Sequence, residues 1–88
     1  MAKTPQQKPL IVLEQLLALA EQLGMEIRKE PLGSSRGGLM VLKGKKCLMV
    51  NVELSIDERI ESVVEILKRE DLSDTFLLPA LRELLEAD

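Results

Sequence analysis

The chain has 88 residues and a formal net charge of −3, and 45% of its residues are apolar. It contains no His, one Cys and one aromatic residue, Phe76, which excludes a His-based catalytic triad or zinc site, a disulfide within the chain and an aromatic platform for stacking bases. The length indicates one domain, and the apolar content is high enough for a folded core.

The first part of the chain predicts an arm followed by an apolar helix. Residues 1–8 are interpreted as a flexible arm, because Pro9 is unfavourable inside a helix that begins earlier. We predict a helix from Pro9 to Leu23, with Gly24 as the left-handed residue that ends it. The polar arc of this helix is only about 120° wide, so the helix can pack on two sides.

Three strands are predicted next. Residues 25–30 alternate between apolar and polar side chains, which predicts a strand with one face in water. Residues 39–42 and 47–52 are apolar runs that are rich in strand-forming residues. Gly44 and Lys45 are the predicted two-residue turn between the second and third strands. This register divides the apolar side chains of the hairpin between two faces, with Met40, Leu42, Cys47 and Met49 on one face and Leu39, Val41, Leu48, Val50 and Val52 on the other. Neither face is polar, so we expect both to be covered.

The last part of the chain predicts two helices. Ser55 begins a capping box, and the helix that follows spans residues 56–70, with Ile66 lying away from its apolar stripe. Pro79 begins a short C-terminal helix. We therefore predict an α+β fold in one domain over residues 9–88: a helix, a three-stranded antiparallel sheet, a helix and a short C-terminal helix, with both long helices on one face of the sheet.

Charge is unevenly distributed along the chain. Residues 25–52 contain six basic and two acidic residues, whereas residues 53–88 contain four basic and eleven acidic residues. Glycine-rich loops can form anion-binding nests, and an Arg can clamp a phosphate or carboxylate. The candidate anion-binding residues are therefore Arg36, Gly37, Gly38, Lys43, Lys45 and Lys46. The alternative interpretation is a flexible strand connection with solvated charges, since the loop lacks the spacing of a phosphate-binding P-loop.

The other reactive residue types do not form a recognisable catalytic set. Cys47 lies in an apolar strand, which predicts a core thiol, with a reactive thiol beside two lysines as the alternative. Glu58, Glu61 and Glu65 on the second helix would need ligands from elsewhere to hold a metal ion. We therefore predict no enzymatic activity, no cofactor and no metal site.

The order of a helix, three strands and a helix also occurs in double-stranded-RNA-binding domains. Those domains bind phosphates through a basic cluster at the start of the second helix. The corresponding segment here, Ser55–Arg59, has a net negative charge. We therefore do not expect the RNA-binding activity.

Several motifs resemble a family of small bacterial proteins for which no activity is established. The matching segments are Arg36–Leu39, Leu42–Lys45, the apolar strand that leads into Asn51, Asp71–Asp74 and Leu77–Leu84, within a pattern that spans roughly residues 20–86. Met40 stands where members often have a Cys, so no thiol-based role is carried over. The resemblance implies a bacterial protein and no particular activity.

The surplus of apolar surface predicts association with another chain. An exposed apolar patch larger than a few hundred Å² is uncommon on a monomer, and a two-fold interface is the simplest way to cover it. We expect a homodimer that buries part of the first helix or the free sheet face. The candidate interface residues are Leu39, Val41, Leu48, Val50 and Ile66.

The expected function is that of a non-catalytic protein-interaction module that self-associates, with another protein as a possible partner. The alternative is anion or nucleic-acid binding through the basic segment from Arg28 to Lys46, although nucleic acid is not the expected partner. No signal peptide or membrane segment is recognised, and a lone thiol suits a reducing compartment, so we expect a cytoplasmic protein without membrane contact.

Overall fold

A computed structural model describes residues 8–87. The predicted order of elements is confirmed, with ends that differ from the prediction by a few residues. The elements are α1 (Pro9–Gln22), β1 (Glu26–Glu30), β2 (Gly38–Leu42), β3 (Lys45–Asn51), α2 (Ile56–Leu67) and α3 (Pro79–Glu86). The predicted arm lies outside the described residues except for Lys8. Within residues 8–87, every helix is too short or too polar to cross a bilayer.

The sheet is mixed, so the predicted antiparallel arrangement of all three strands is wrong. The strand order is β1-β3-β2, in which β1 runs parallel to β3 and β2 runs antiparallel to it. The reason lies in residues 31–37, which pass the end of β3 and bring the chain to its far edge. The strand that is buried along most of its length, β3, therefore becomes the central strand.

The hairpin of β2 and β3 turns at Lys43 and Gly44, both of which have positive φ, 53° and 80°. The turn lies one residue earlier than predicted, so Leu42 pairs with Lys45 instead of Cys47. This changes the register by two residues. Because side chains alternate with a period of two, the predicted division of the hairpin into two faces is confirmed.

The core lies between the helices and one face of the sheet. Leu48 and Val50 of β3 are 0% and 4% exposed and pack against α1, α2 and the C-terminal segment. The buried residues that these elements contribute are Leu13, Leu16, Leu17, Leu19 and Ala20 from α1, Val63 and Leu67 from α2, and Leu77, Leu81 and Leu85 from the C-terminal segment. Both long helices therefore cover the same face of the sheet, as the sequence predicts.

The predicted ends of two helices are confirmed by their geometry. Gly24 follows α1 with a φ of 92°, which is the left-handed conformation expected of a helix-ending residue. At the start of α2, the Ser55 hydroxyl oxygen accepts a hydrogen bond from the Glu58 N–H at 3.2 Å, and the Glu58 carboxylate accepts one from the Ser55 N–H at 3.0 Å. Hydrogen bonds from the N–H and then the hydroxyl of Ser55 hold the pKa of the Glu58 carboxyl below its usual range, with a smaller effect from Arg36.

Candidate interaction surface

The two edges of the sheet differ in chemistry. Four of the five residues in β1 are exposed and charged, and Arg28 pairs with Glu26 at 3.2 Å. Charged side chains are one of the ways in which proteins protect a sheet edge from pairing with another chain. The opposite edge, β2, has the sequence Gly-Leu-Met-Val-Leu, with no charged residue and no proline.

The side chains of β2 are exposed on both faces of the sheet. Leu39 is 38% exposed, Met40 44%, Val41 61% and Leu42 43%. The expectation that both faces of the hairpin are covered therefore holds for most of β3 and not for β2. Contiguous exposed apolar residues on a small protein indicate an interaction site.

The backbone of β2 also presents unpaired groups along this edge. A two-residue hairpin turn is closed by a hydrogen-bonded pair, here Leu42 and Lys45. Because hydrogen-bonded and non-bonded pairs alternate along an antiparallel ladder, Met40 and Gly38 also bond to β3. The N–H and C=O groups of Leu39 and Val41 therefore point away from the sheet. We call this row of backbone groups and the four apolar side chains the β2 edge.

A groove of mixed charge lies beside the β2 edge on the helical side. Leu39 lines it together with Ile66 of α2 and three charged residues, Arg36, Glu65 and Arg69. The Nη2 atom of Arg36 lies 3.3 Å from Oε1 of Glu65, and both side chains are more than half exposed. The groove therefore presents both signs of charge next to an apolar strand.

Residues 31–37 are held in place by the buried side chain of Asn51, which is 1% exposed. Its Oδ1 accepts hydrogen bonds from the N–H groups of Leu32 and Glu53 at 3.0 and 2.9 Å. Its Nδ2 donates to the C=O groups of Gly33 and Ser35 at 2.9 and 2.6 Å. All four hydrogen-bonding positions of the amide are thus used, and the segment that leads into β2 is fixed at the end of β3.

Two further contacts fix the same segment, and sequence reasoning identified neither of them, nor the role of Asn51. The Ser62 hydroxyl on α2 donates to the C=O of Arg36 at 2.8 Å. Gly37 has a φ of 86° and lies so close to the main-chain oxygen of Met49 that a Cβ atom would overlap it. The one available signal was an amide residue at the end of an apolar strand, Asn51, which indicates a buried polar role.

The candidate anion-binding residues do not come together around one point. Arg36 lies before β2 and Lys43 after it, and a five-residue strand separates its ends by roughly 15 Å. Lys46 pairs with Glu70 at 3.0 Å, and Lys45 is exposed near the turn.

The backbone of the glycine-rich loop also has partners within the chain. The Gly33 N–H donates to Glu53 at 3.0 Å, and the Gly37 N–H donates to the Ser35 hydroxyl at 3.0 Å. Gly38 is half-buried and begins β2. A nest requires successive N–H groups that point at the ligand, and two of the N–H groups here already bond to side chains of this protein.

The candidate interface residues divide into two groups. Leu48 and Val50 are buried under the helices and offer no surface to a second chain. Leu39 and Val41 are exposed on the β2 edge, and Ile66 is half-buried beside Leu39. The alternating pattern of the sequence placed all four strand residues on one face, but it could not show how far the helices extend across that face.

Cys47 and the carboxylates are the other side chains that could take part in chemistry. Cys47 is 2% exposed and forms no disulfide, and its thiol donates a hydrogen bond to the C=O of Lys45 at 3.9 Å. Among residues 8–87, no three Asp, Glu or Cys side chains are grouped closely enough to hold a metal ion. Hydrogen bonds from the hydroxyl and then the N–H of Ser73 hold the pKa of the Asp71 carboxyl below its usual range, at the turn that follows α2.

Comparisons with protein-family models, curated proteins and solved structures found no match to this chain. The resemblance to a small bacterial family therefore stays a prediction.

Proposed function

We propose that this protein is a non-catalytic interaction module that self-associates through the β2 edge. The observation that carries the proposal is the contrast between the two edges of one sheet. The β1 edge is charged, whereas β2 combines exposed apolar side chains with unpaired backbone groups of Leu39 and Val41. An edge with both features is a template for pairing with another strand.

A second copy of the chain suits this edge for two reasons. Its own β2 supplies an apolar strand of the same length and an equal number of unpaired donors and acceptors. The groove beside Leu39 carries Glu65 as well as Arg36 and Arg69, so two such grooves that approach each other offer opposite charges on both sides. Complementary charge of this kind favours one partner and one orientation.

Binding of an anion or a nucleic acid is less well supported by the same residues. Arg36 and Lys46 pair with carboxylates of α2 and of the residues that follow it, and two of the loop N–H groups, those of Gly33 and Gly37, bond to side chains of the same chain. Salt-dependent binding of DNA or RNA requires several free cations along one surface. The interaction module is therefore the proposal that we favour.

Sedimentation velocity over a range of micromolar concentrations tests the proposal. A strand-sized interface is small, so we expect a dissociation constant in the micromolar range, which corresponds to roughly 7–8 kcal/mol. The Val41→Lys variant places a charge on the β2 edge and should sediment as a monomer throughout. The Val52→Lys variant is the matched control, because Val52 is also exposed, at 38%, but lies beyond the end of β3.

Val52→Lys should associate as the wild type does, and circular dichroism should show that both variants are folded. A wild-type protein that remains monomeric at tens of micromolar would contradict the proposal. So would a Val41→Lys variant that associates as tightly as Val52→Lys.

A further inference from the structure

We propose that two copies pair through antiparallel β2 strands about a two-fold axis at Met40, which joins the two sheets into one of six strands. This inference rests on the proposed function and specifies the geometry of the self-association. It follows from the backbone groups that β2 leaves unpaired and from the side chains that each register would place opposite each other.

The pattern of unpaired groups restricts the possible registers. Only the odd-numbered residues of β2, Leu39 and Val41, direct their N–H and C=O groups outward, so hydrogen-bonded pairs between copies must join odd-numbered residues. With the axis at Met40, Leu39 of each copy bonds to Val41 of the other, and all eight outward groups of the two strands are paired in four hydrogen bonds. With the axis at Leu39 or at Val41, only that residue finds a bonded partner within β2.

Side chains also fit this register. Leu39 lies opposite Val41 of the second copy on the helical side, where each is already exposed. Leu42 lies opposite Gly38, which has no side chain and leaves room for it. The two Met40 side chains meet at the axis, and the flexible thioether side chain adapts its shape to a symmetric contact.

Cysteine cross-linking in a Cys47→Ala background tests the register. Residues at a non-hydrogen-bonded antiparallel pair have Cα atoms about 4.5 Å apart, which is within the range of a disulfide. Met40→Cys should therefore form a covalent dimer under mild oxidation. Leu42→Cys is the matched control, because Met40 and Leu42 lie on the same face and are 44% and 43% exposed. In the proposed register, position 42 of one copy lies four residues along the strand, roughly 14 Å, from position 42 of the other copy. The Leu42→Cys variant should therefore not cross-link.

The outcomes separate this inference from the proposed function. A dimer in sedimentation that cross-links at Leu42→Cys, or equally at both positions, overturns the register and leaves the self-association standing. A monomer that cross-links at neither position overturns both.

If the Met40→Cys variant does not fold, the register can be tested on the wild-type chain. In a wild-type sample in which half of the molecules are isotope-labelled, nuclear Overhauser contacts should connect the Leu39 and Val41 methyl groups of different copies. Their absence in a dimeric sample would overturn the register.

Discussion

Replacement of Asn51 should destabilise the domain far more than the loss of its volume would explain. The side chain is 1% exposed and makes four hydrogen bonds to main-chain groups. A typical hydrogen bond contributes about 0.5–1.5 kcal/mol, so the four together contribute about 2–6 kcal/mol. Because Gly33, Ser35 and Glu53 are exposed, water can bond to their main-chain groups in the variant and recover part of the lost free energy. We therefore expect Asn51→Ala to lower the free energy of unfolding by about 2–4 kcal/mol.

An apolar residue of similar size separates hydrogen bonding from packing. Asn51→Leu fills the same space but bonds to none of the four main-chain groups, so it should not restore the stability that Asn51→Ala loses. Urea unfolding at one fixed protein concentration measures the difference, since self-association would otherwise contribute to stability. About 1 kcal/mol lowers the Tm of a domain of this size by about 4–8 °C, so a loss of about 2 kcal/mol or more should lower the Tm of both variants by at least about 8 °C.

A local measurement accompanies the global one. Residues 31–37 contain Arg36, a trypsin site, and the Asn51 amide fixes this segment at Leu32, Gly33 and Ser35. Cleavage after Arg36 should therefore be faster in both variants than in the wild type. An Asn51→Leu protein as stable as the wild type, with unchanged cleavage, would refute the role assigned to the amide.

The remaining predictions concern a glycine and a helix cap. Gly37→Ala should lower the unfolding free energy by more than the roughly 1–3 kcal/mol of backbone strain, because its Cβ overlaps the Met49 oxygen. Gly33→Ala, also at positive φ but with open space around it, is the control, and equal losses in the two variants would contradict the overlap. Ser55→Ala should lower the free energy of unfolding, measured by thermal unfolding, by about 0.5–2 kcal/mol. The lowered pKa of Glu58 means that its stabilising effect is present above the unfolded-state pKa and is lost as the pH falls through the folded-state value. Ser55→Ala removes the hydroxyl and keeps the main-chain N–H, so its difference from the wild type should become somewhat smaller in acid, and a difference that grows in acid would contradict the capping box.

Features that depend on neighbouring residues were predictable from the sequence. The Ser55 capping box, the end of α1 at Gly24 and the start of α3 at Pro79 each follow from chemistry within one helical turn. The two faces of the hairpin were also predictable, because alternation is unaffected by a two-residue change of register.

Features that depend on distant contacts were not predictable in the same way. The parallel pairing of β1 with β3 follows from the path of residues 31–37, which the Asn51 amide fixes across 19 residues of sequence from Leu32. Nothing in the local pattern distinguishes such a crossing from an ordinary turn.

The candidate interface was predictable in part for the same reason. Sequence alternation identified Leu39, Val41, Leu48 and Val50 as one apolar face, but the positions of α1 and α2 decide which of them stay exposed. The helices cover the central strand and leave β2 open. The contrast between a charged β1 edge and an apolar β2 edge became visible only when both strands were placed at the edges of the sheet.

Amide hydrogen exchange, measured at several protein concentrations, tests the central claim most directly. In β2, the N–H groups of Met40 and Leu42 bond to β3 within one chain, so their protection should not depend on concentration. The N–H groups of Leu39 and Val41 point outward, and their protection should increase as the concentration rises and dimers form. If the protein dimerises while Leu39 and Val41 exchange at the same rate at every concentration, the β2 edge is not the interface.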